Sequence, residues 1–217
     1  MNSEKKKGLE ETIKEKVSSL LESTMEKQWG ITIPQIETDI TDKLNHPQLN
    51  IYVSPELDFV GAKKMFKKEF LKKEIKLHKG NISHLAKSLG LDRRSIHRAI
   101  KDLDIDMNKL RHQQESKEEY QQEMINKTIK STLDQYKEII RPQQMEKVYQ
   151  EVPQLSRNIA KFIPLQELTW KEAEHEFEKQ FLQHALGENK SITKTAEKLK
   201  IRLETLSRKI KKLGIKI

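Results

Sequence analysis

Arg93, Arg94, Ser95, His97, Arg98 and Lys101 crowd one short stretch of this 217-residue chain, interleaved with Ile96, Ile100 and Leu103 at i, i+4 and i+7. That spacing predicts a helix with an apolar stripe on one side and the polar set on the other. A guanidinium is a planar fork of donors that matches paired acceptors on a guanine edge or on a phosphate, and an ammonium or hydroxyl reaches single phosphate oxygens. The chemistry on offer is recognition of a polyanion. No nucleophile with a base beside it and no Gly-rich phosphate loop of Walker type stands out, so no catalytic residue and no enzyme activity are expected. A second stretch, Thr205, Ser207, Arg208, Lys209 and Lys211 around Leu206, Ile210 and Leu213, repeats the pattern. His78, His84, His97, His112, His175 and His184 have no ligand spacing and the chain has no Cys, so no metal, cofactor or disulfide is expected.

Each polar stretch ends a longer repeat that must position it. Phe66-x-Lys68-x-Phe70-Leu71 recurs 111 residues later as Phe177-x-Lys179-x-Phe181-Leu182. Ile82-Ser83-x-x-Ala86-x-x-Leu89 and the stretch after it recur at an offset of 110, as Ile192-Thr193-x-x-Ala196-x-x-Leu199 and its sequel. One residue is therefore missing between Ile75 and Ile82 in the second copy, a gap that shortens a loop and leaves the helices alike. In copy one Gly90 suits a tight turn with positive φ, and Asp92 is placed to cap the helix that follows. The long helix before it opens at Ser54-Pro55-Glu56 and runs to about His78, and its counterpart opens at Thr169-Trp170-Lys171-Glu172 with capping-box spacing. Phe66, Phe70, Phe177 and Phe181 read as core. Lys63, Lys64, Lys67, Lys68, Lys72 and Lys73 read as a solvated face that adds phosphate attraction.

Upstream, Leu9, Ile13, Val17, Leu20, Leu21 and Met25 predict an amphipathic helix ending near Trp29-Gly30. Met124, Ile125, Ile129, Leu133, Tyr136 and Ile140 predict another, and Thr12-Ile13-Lys14 echoes Thr128-Ile129-Lys130, an echo open to the reading that the duplication includes these helices. Residues 34–44 and 142–152 are expected to be helical, with Pro in the first turn. Residues 51–53 are read as extended linker. Charge follows the repeat: residues 61–101 hold 13 Lys/Arg against 3 Asp/Glu, residues 190–217 hold 10 against 2, and the rest hold 19 against 28. A polyanion partner touching only the repeated blocks accounts for that asymmetry.

Both blocks resemble the Fis-type helix-turn-helix, found in the nucleoid protein Fis and as the C-terminal DNA-binding domain of NtrC-type transcription activators. The resemblance spans three helices, about 50 residues per copy and roughly half the chain. It implies an all-α fold of tandem helical domains, each ending in such a unit, with double-stranded DNA as the partner and recognition helices in successive major grooves. It places Arg93, Ser95, His97 and Arg98 facing DNA with Lys101 at the backbone. The matching positions in copy two are Leu203, Thr205, Ser207 and Arg208, with Lys211. Arg94 and Lys209 complete the DNA-binding set. Copy two departs from the pattern: Leu203 replaces a basic residue, Arg202 the capping Asp, and Lys200 the turn Gly.

The expected organisation is residues 1–105 (core 55–105), a polar linker at 106–119, and residues 120–217 (core 165–217). No membrane span and no small-molecule ligand are expected, and the charged start is not followed by an apolar run, so the chain is expected to be soluble, cytoplasmic and nucleoid-associated. Paired, unequal readers point to a sequence-specific transcription regulator acting by occupancy, bending or recruitment. The alternatives are an architectural protein that bends or bridges DNA and a helical protein–protein adaptor. The two readers either form an intramolecular pseudodimer or belong to a homodimer that presents four.

Overall fold

A computed structural model of the chain describes residues 2–45, 49, 51, 53–111, 113, 116–163, 165 and 167–215. Among them there is no strand, so the fold is all-α as expected. The helices are α1 (Asn2–Thr24), α2 (Pro34–Asn45), α3 (Phe59–Leu77), α4 (Ile82–Leu89), α5 (Arg93–Asp102) and α6 (Met107–Arg111), followed by α7 (Lys117–Leu133), α8 (Pro142–Ala160), α9 (Trp170–Asn189), α10 (Ile192–Lys198) and α11 (Leu203–Leu213). They form two compact units that interleave along the chain: Met1–Gln48 with Ser116–Gln166, and Leu49–Glu115 with Glu167–Ile217. Each compact unit therefore takes two separate stretches of the chain, whereas the sequence-based division at 106–119 cuts it once.

The first unit is built from two helical hairpins, α1–α2 and α7–α8, with α2 packed on α7 and α1 on α8. Val17, Leu21, Ile36, Ile40, Ile129, Leu133, Val148, Val152 and Ile159 fill its core. α1 continues into a π-helical turn, Met25–Trp29, which Gly30 ends at φ +64°. The Trp29 indole donates to Glu151 at 2.9 Å, and Tyr136 donates its hydroxyl to Asp39 across the two hairpins. Pro34 and Pro142 start α2 and α8, as their fixed φ allows.

The second unit contains both three-helix blocks, α3–α4–α5 and α9–α10–α11, around one core. α9 has the expected capping box: Thr169 accepts from the Glu172 N–H, and Glu172 accepts from the Thr169 N–H at 2.9 Å. α3 begins later than expected. Asp58 caps it by accepting from the Gly61 N–H at 2.7 Å, while the segment after Ser54 makes a turn in which the Leu57 N–H donates to the Ser54 carbonyl. The Asp carboxylate is the stronger acceptor and it sits where the apolar helical spacing starts. Part of the polar linker is also structured. Met107 and Leu110 of α6 pack on the α3 core, with Leu110 buried, although residues 112, 114 and 115 of that stretch lie outside the described residues. In the segment read as extended linker, Ile51 and Val53 pack against the core, and residue 52 lies outside the described residues.

The turn between the last two helices of each block is the same in both, though its residues are not. Gly90 has φ +65° and is followed by a bond from the Leu91 N–H to the Ala86 carbonyl at 2.9 Å; Lys200 has φ +53° and the Ile201 N–H reaches the Ala196 carbonyl at 3.0 Å. Copy two therefore keeps the turn with a side chain in the left-handed region, where L residues lose about 1 kcal/mol. Lys200→Gly is expected to raise unfolding stability by about 0.5–1 kcal/mol, the upper figure being reduced by the greater freedom of Gly in the unfolded chain. The midpoint of urea unfolding measures it.

Candidate nucleic-acid interface

Everything that orients the two polar stretches converges on the crossing of α3 and α9. Phe66 and Phe177, which hold the same position in their copies, stack with ring centroids 4.3 Å apart and planes 7° from parallel. Phe59 meets Phe181 at 6.4 Å, and Trp170 meets Phe70 at 5.9 Å. Trp170 corresponds to Phe59 and Phe181 to Phe70, so these are one contact made twice with the copies exchanged. The helices run antiparallel through a local pseudo-twofold at the Phe66–Phe177 stack. The start of each long helix sits against the other copy's helix-to-helix turn: the Phe59 N–H donates to the Leu199 carbonyl at 3.0 Å, and Ser88 donates to Glu167 at 3.1 Å.

Ion pairs flank the stack. Lys63 lies 3.1 Å from Glu174 and 2.8 Å from Glu178, Lys67 lies 2.8 Å from Glu174, and Lys209 lies 2.6 Å from Glu178. Burial disfavours the charge on Glu174, but hydrogen bonds from Lys67 and Lys63 outweigh it and hold the carboxyl below its ordinary range. Burial likewise opposes the charge on Glu178, and hydrogen bonds from Lys209 and Lys63 prevail. Lys63 is raised above the ordinary lysine value, its burial being outweighed by bonds to Glu178 and Glu174. Lys63 and Lys67 are thus cement for the crossing and not the solvated face that their spacing suggests.

The two C-terminal helices of the blocks carry the candidate contacts. On α5, Ile96 is fully buried while Arg93, Arg94, His97, Arg98 and Lys101 are exposed. Asp92 caps this helix, accepting from the Ser95 N–H at 2.8 Å and from its hydroxyl at 2.7 Å. Ser95 is half-buried and its hydroxyl is committed to that cap, bonds that also hold the Asp92 carboxyl below its usual range. On α11, Leu206 and Ile210 face the core, Arg208 and Lys211 are exposed, and Thr205 and Ser207 are half-buried. Lys209 differs from the others in its placement. It corresponds to Ala99, on the inward side of the helix, and its ammonium lies on Glu178 and 4.8 Å from the Phe59 ring centroid. Among the described residues, no side-chain ion pair or hydrogen bond ties down Arg93, Arg94, Arg98, Lys101, Arg208 or Lys211.

The two helices are unequal. α11 has no side-chain cap at Arg202, and Leu203 and Glu204 are exposed where α5 has Arg93 and Arg94. The second unit as a whole holds 27 Lys/Arg against 17 Asp/Glu, the first 15 against 16. Among the described residues there is no cluster of His, Cys, Asp or Glu able to hold a metal, and no helix is long and apolar enough to cross a membrane.

Residues 175–213, from within α9 to the end of α11, match the family described as bacterial regulatory protein, Fis family. No curated protein and no solved structure matches the chain. The match supports a Fis-type helix-turn-helix over this segment and, with it, DNA binding.

What sequence reasoning missed was visible in the two copies once aligned. Lys63 and Lys67 correspond to Glu174 and Glu178, a reversal of sign at two neighbouring positions of otherwise similar helices. The crossing has a pH window that follows from these groups. The depressed Glu174 and Glu178 contribute fully above the unfolded carboxylate range near pH ~4.3, and their contribution is lost as pH falls through their lowered values. The raised Lys63 contributes fully below about pH 10.4 and is lost as pH rises above that. The melting temperature of the second unit is expected to be flat between these limits and to fall on both sides. Phe177→Ala is expected to cost about 3–5 kcal/mol, by the loss of buried area and the cavity it leaves. Thermal melts across pH and denaturant unfolding of the variant measure the two.

Proposed function

We propose that this protein is a sequence-specific double-stranded DNA-binding protein, a transcription regulator without ATPase activity, whose unequal helix-turn-helix units α4–α5 and α10–α11 act as a pseudodimer within one chain. The observation that carries the reading is the set of exposed, unpaired cations on α11, within the segment matching the Fis family, and on α5 at the corresponding positions. Side chains that give up no internal partner reach a phosphate or a base edge without breaking a bond. The local twofold at Phe66–Phe177 supports paired half-sites about one helical turn, roughly 34 Å, apart. The replacement of Arg93 and Arg94 by Leu203 and Glu204 supports half-sites that differ. Without a nucleotide site, regulation proceeds by occupancy, by bending, or by recruitment of another protein at the nucleoid.

Selection from a randomised duplex library at physiological salt tests this. Enrichment of a bipartite site with unlike halves is expected. Retention without enrichment would move the reading to an architectural role, and no retention to an adaptor. On the selected site, Arg98→Ala and Arg208→Ala are each expected to weaken binding about 10- to 100-fold and to relax preference in one half only, as for a lost bidentate base contact. Lys101→Ala is expected to weaken all duplexes alike and to lower the salt dependence by about one counterion.

A further inference from the structure

The two long helices at the crossing have opposite charge. α3 carries seven Lys against two Glu, and α9 five Glu against two Lys. The difference concentrates on the pseudo-twofold. Lys63 with Glu178, and Glu174 with Lys67, are again one contact seen from each side with the copies exchanged. We infer that Lys63 and Lys67 on α3 and Glu174 and Glu178 on α9 are a pairing code, which makes the first block take the second as its partner and refuse a copy of itself. The inference rests on the reading of two paired blocks and is independent of whether they bind DNA.

The argument is one of substitution at a symmetric seam. If α3 crossed a second α3 in this geometry, Lys63 would face Lys63 and Lys67; if α9 crossed a second α9, Glu174 would face Glu174 and Glu178. Either pairing would keep the aromatic stack, since both copies have Phe at the central position and aromatics at its ends. It would set like charges within a few ångströms of one another. These side chains are between 13% and 31% exposed, so water screens them only in part. The aromatic pattern alone admits all three pairings, and the charges discriminate among them by repulsion as much as by attraction. Lys209 strengthens the asymmetry. It adds a third cation to the acidic side at a position where copy one has Ala99. The consequence is a reader that always presents one of each unit, so its site cannot be a perfect palindrome.

Charge reversal in the full-length protein tests the code, read by thermal unfolding and by sedimentation mass, without DNA. Lys63→Glu with Lys67→Glu makes both faces acidic. Glu174→Lys with Glu178→Lys and Lys209→Ala makes both basic. Each set is expected to lower the unfolding midpoint by roughly 10 °C, and Lys63→Gln with Lys67→Gln by less, because it removes attraction without adding repulsion. All five reversing substitutions together are expected to restore most of the loss and to leave a monomer, as for the parent chain. The inference is overturned if either half-reversed chain melts like the parent, if the combined chain melts no higher than its halves, or if the parent sediments as a dimer.

Discussion

A ring-on-ring contact between Phe66 and Phe177 is the constraint on which the second unit depends. The two blocks share one core, and each is three helices, two of them short. By crossing at equivalent phenylalanines the long helices give each block the other's aromatics, and the flanking pairs Phe59–Phe181 and Phe70–Trp170 follow from the same operation. The placement of α5 and α11 therefore depends on residues that are themselves far inside. The exposed cations of both helices are thus placed by a buried aromatic seam.

The elements were legible in the sequence because local rules fixed them. The i, i+4, i+7 stripe of α5, the Asp92 cap, the Gly90 turn and the Thr169–Glu172 box each depend on residues a few positions apart, and each forms as its spacing predicts. Lys209 shows where that legibility ends. By composition it belongs with Arg208, and only its rotation on α11 and a carboxylate 31 residues earlier in the chain send it inward. The interleaving of the two units is of the same kind, since no local signal says that two hairpins will pack on each other rather than on the blocks they precede. The start of α3 is a smaller case, in which Ser54-Pro55 and Asp58 both offer caps and the tertiary placement of Phe59 decides.

The two blocks differ more at exposed positions than at buried ones. Most core positions keep their character, Phe66 with Phe177, Leu71 with Leu182, Ile96 with Leu206, although buried Leu85 corresponds to buried Thr195. Exposed positions change throughout, among them the rim of the seam and the first turn of the last helix, where Asp92, Arg93 and Arg94 correspond to Arg202, Leu203 and Glu204. Packing tolerates little alteration in a shared core, whereas surface positions are free to specialise. Retention of a strained turn at Lys200 fits the same division, since the backbone path serves the core and only its residue has changed.

The distance along the chain between the stacked rings has a consequence for how the protein is made. Phe66 and Phe177 are 111 residues apart. At ribosomal rates of ~5–20 residues per second the first aromatic face waits on the order of 5–20 s before its partner emerges. Closing so long a loop adds an entropic cost of about 4 kcal/mol beyond a constant, met only when the whole seam forms together. During that wait α3 is a helix with an uncovered row of phenylalanines, a hazard for association with neighbouring nascent chains. Its lysines, Lys63 and Lys67 among them without the α9 carboxylates they later meet, would keep such neighbours apart by simple repulsion.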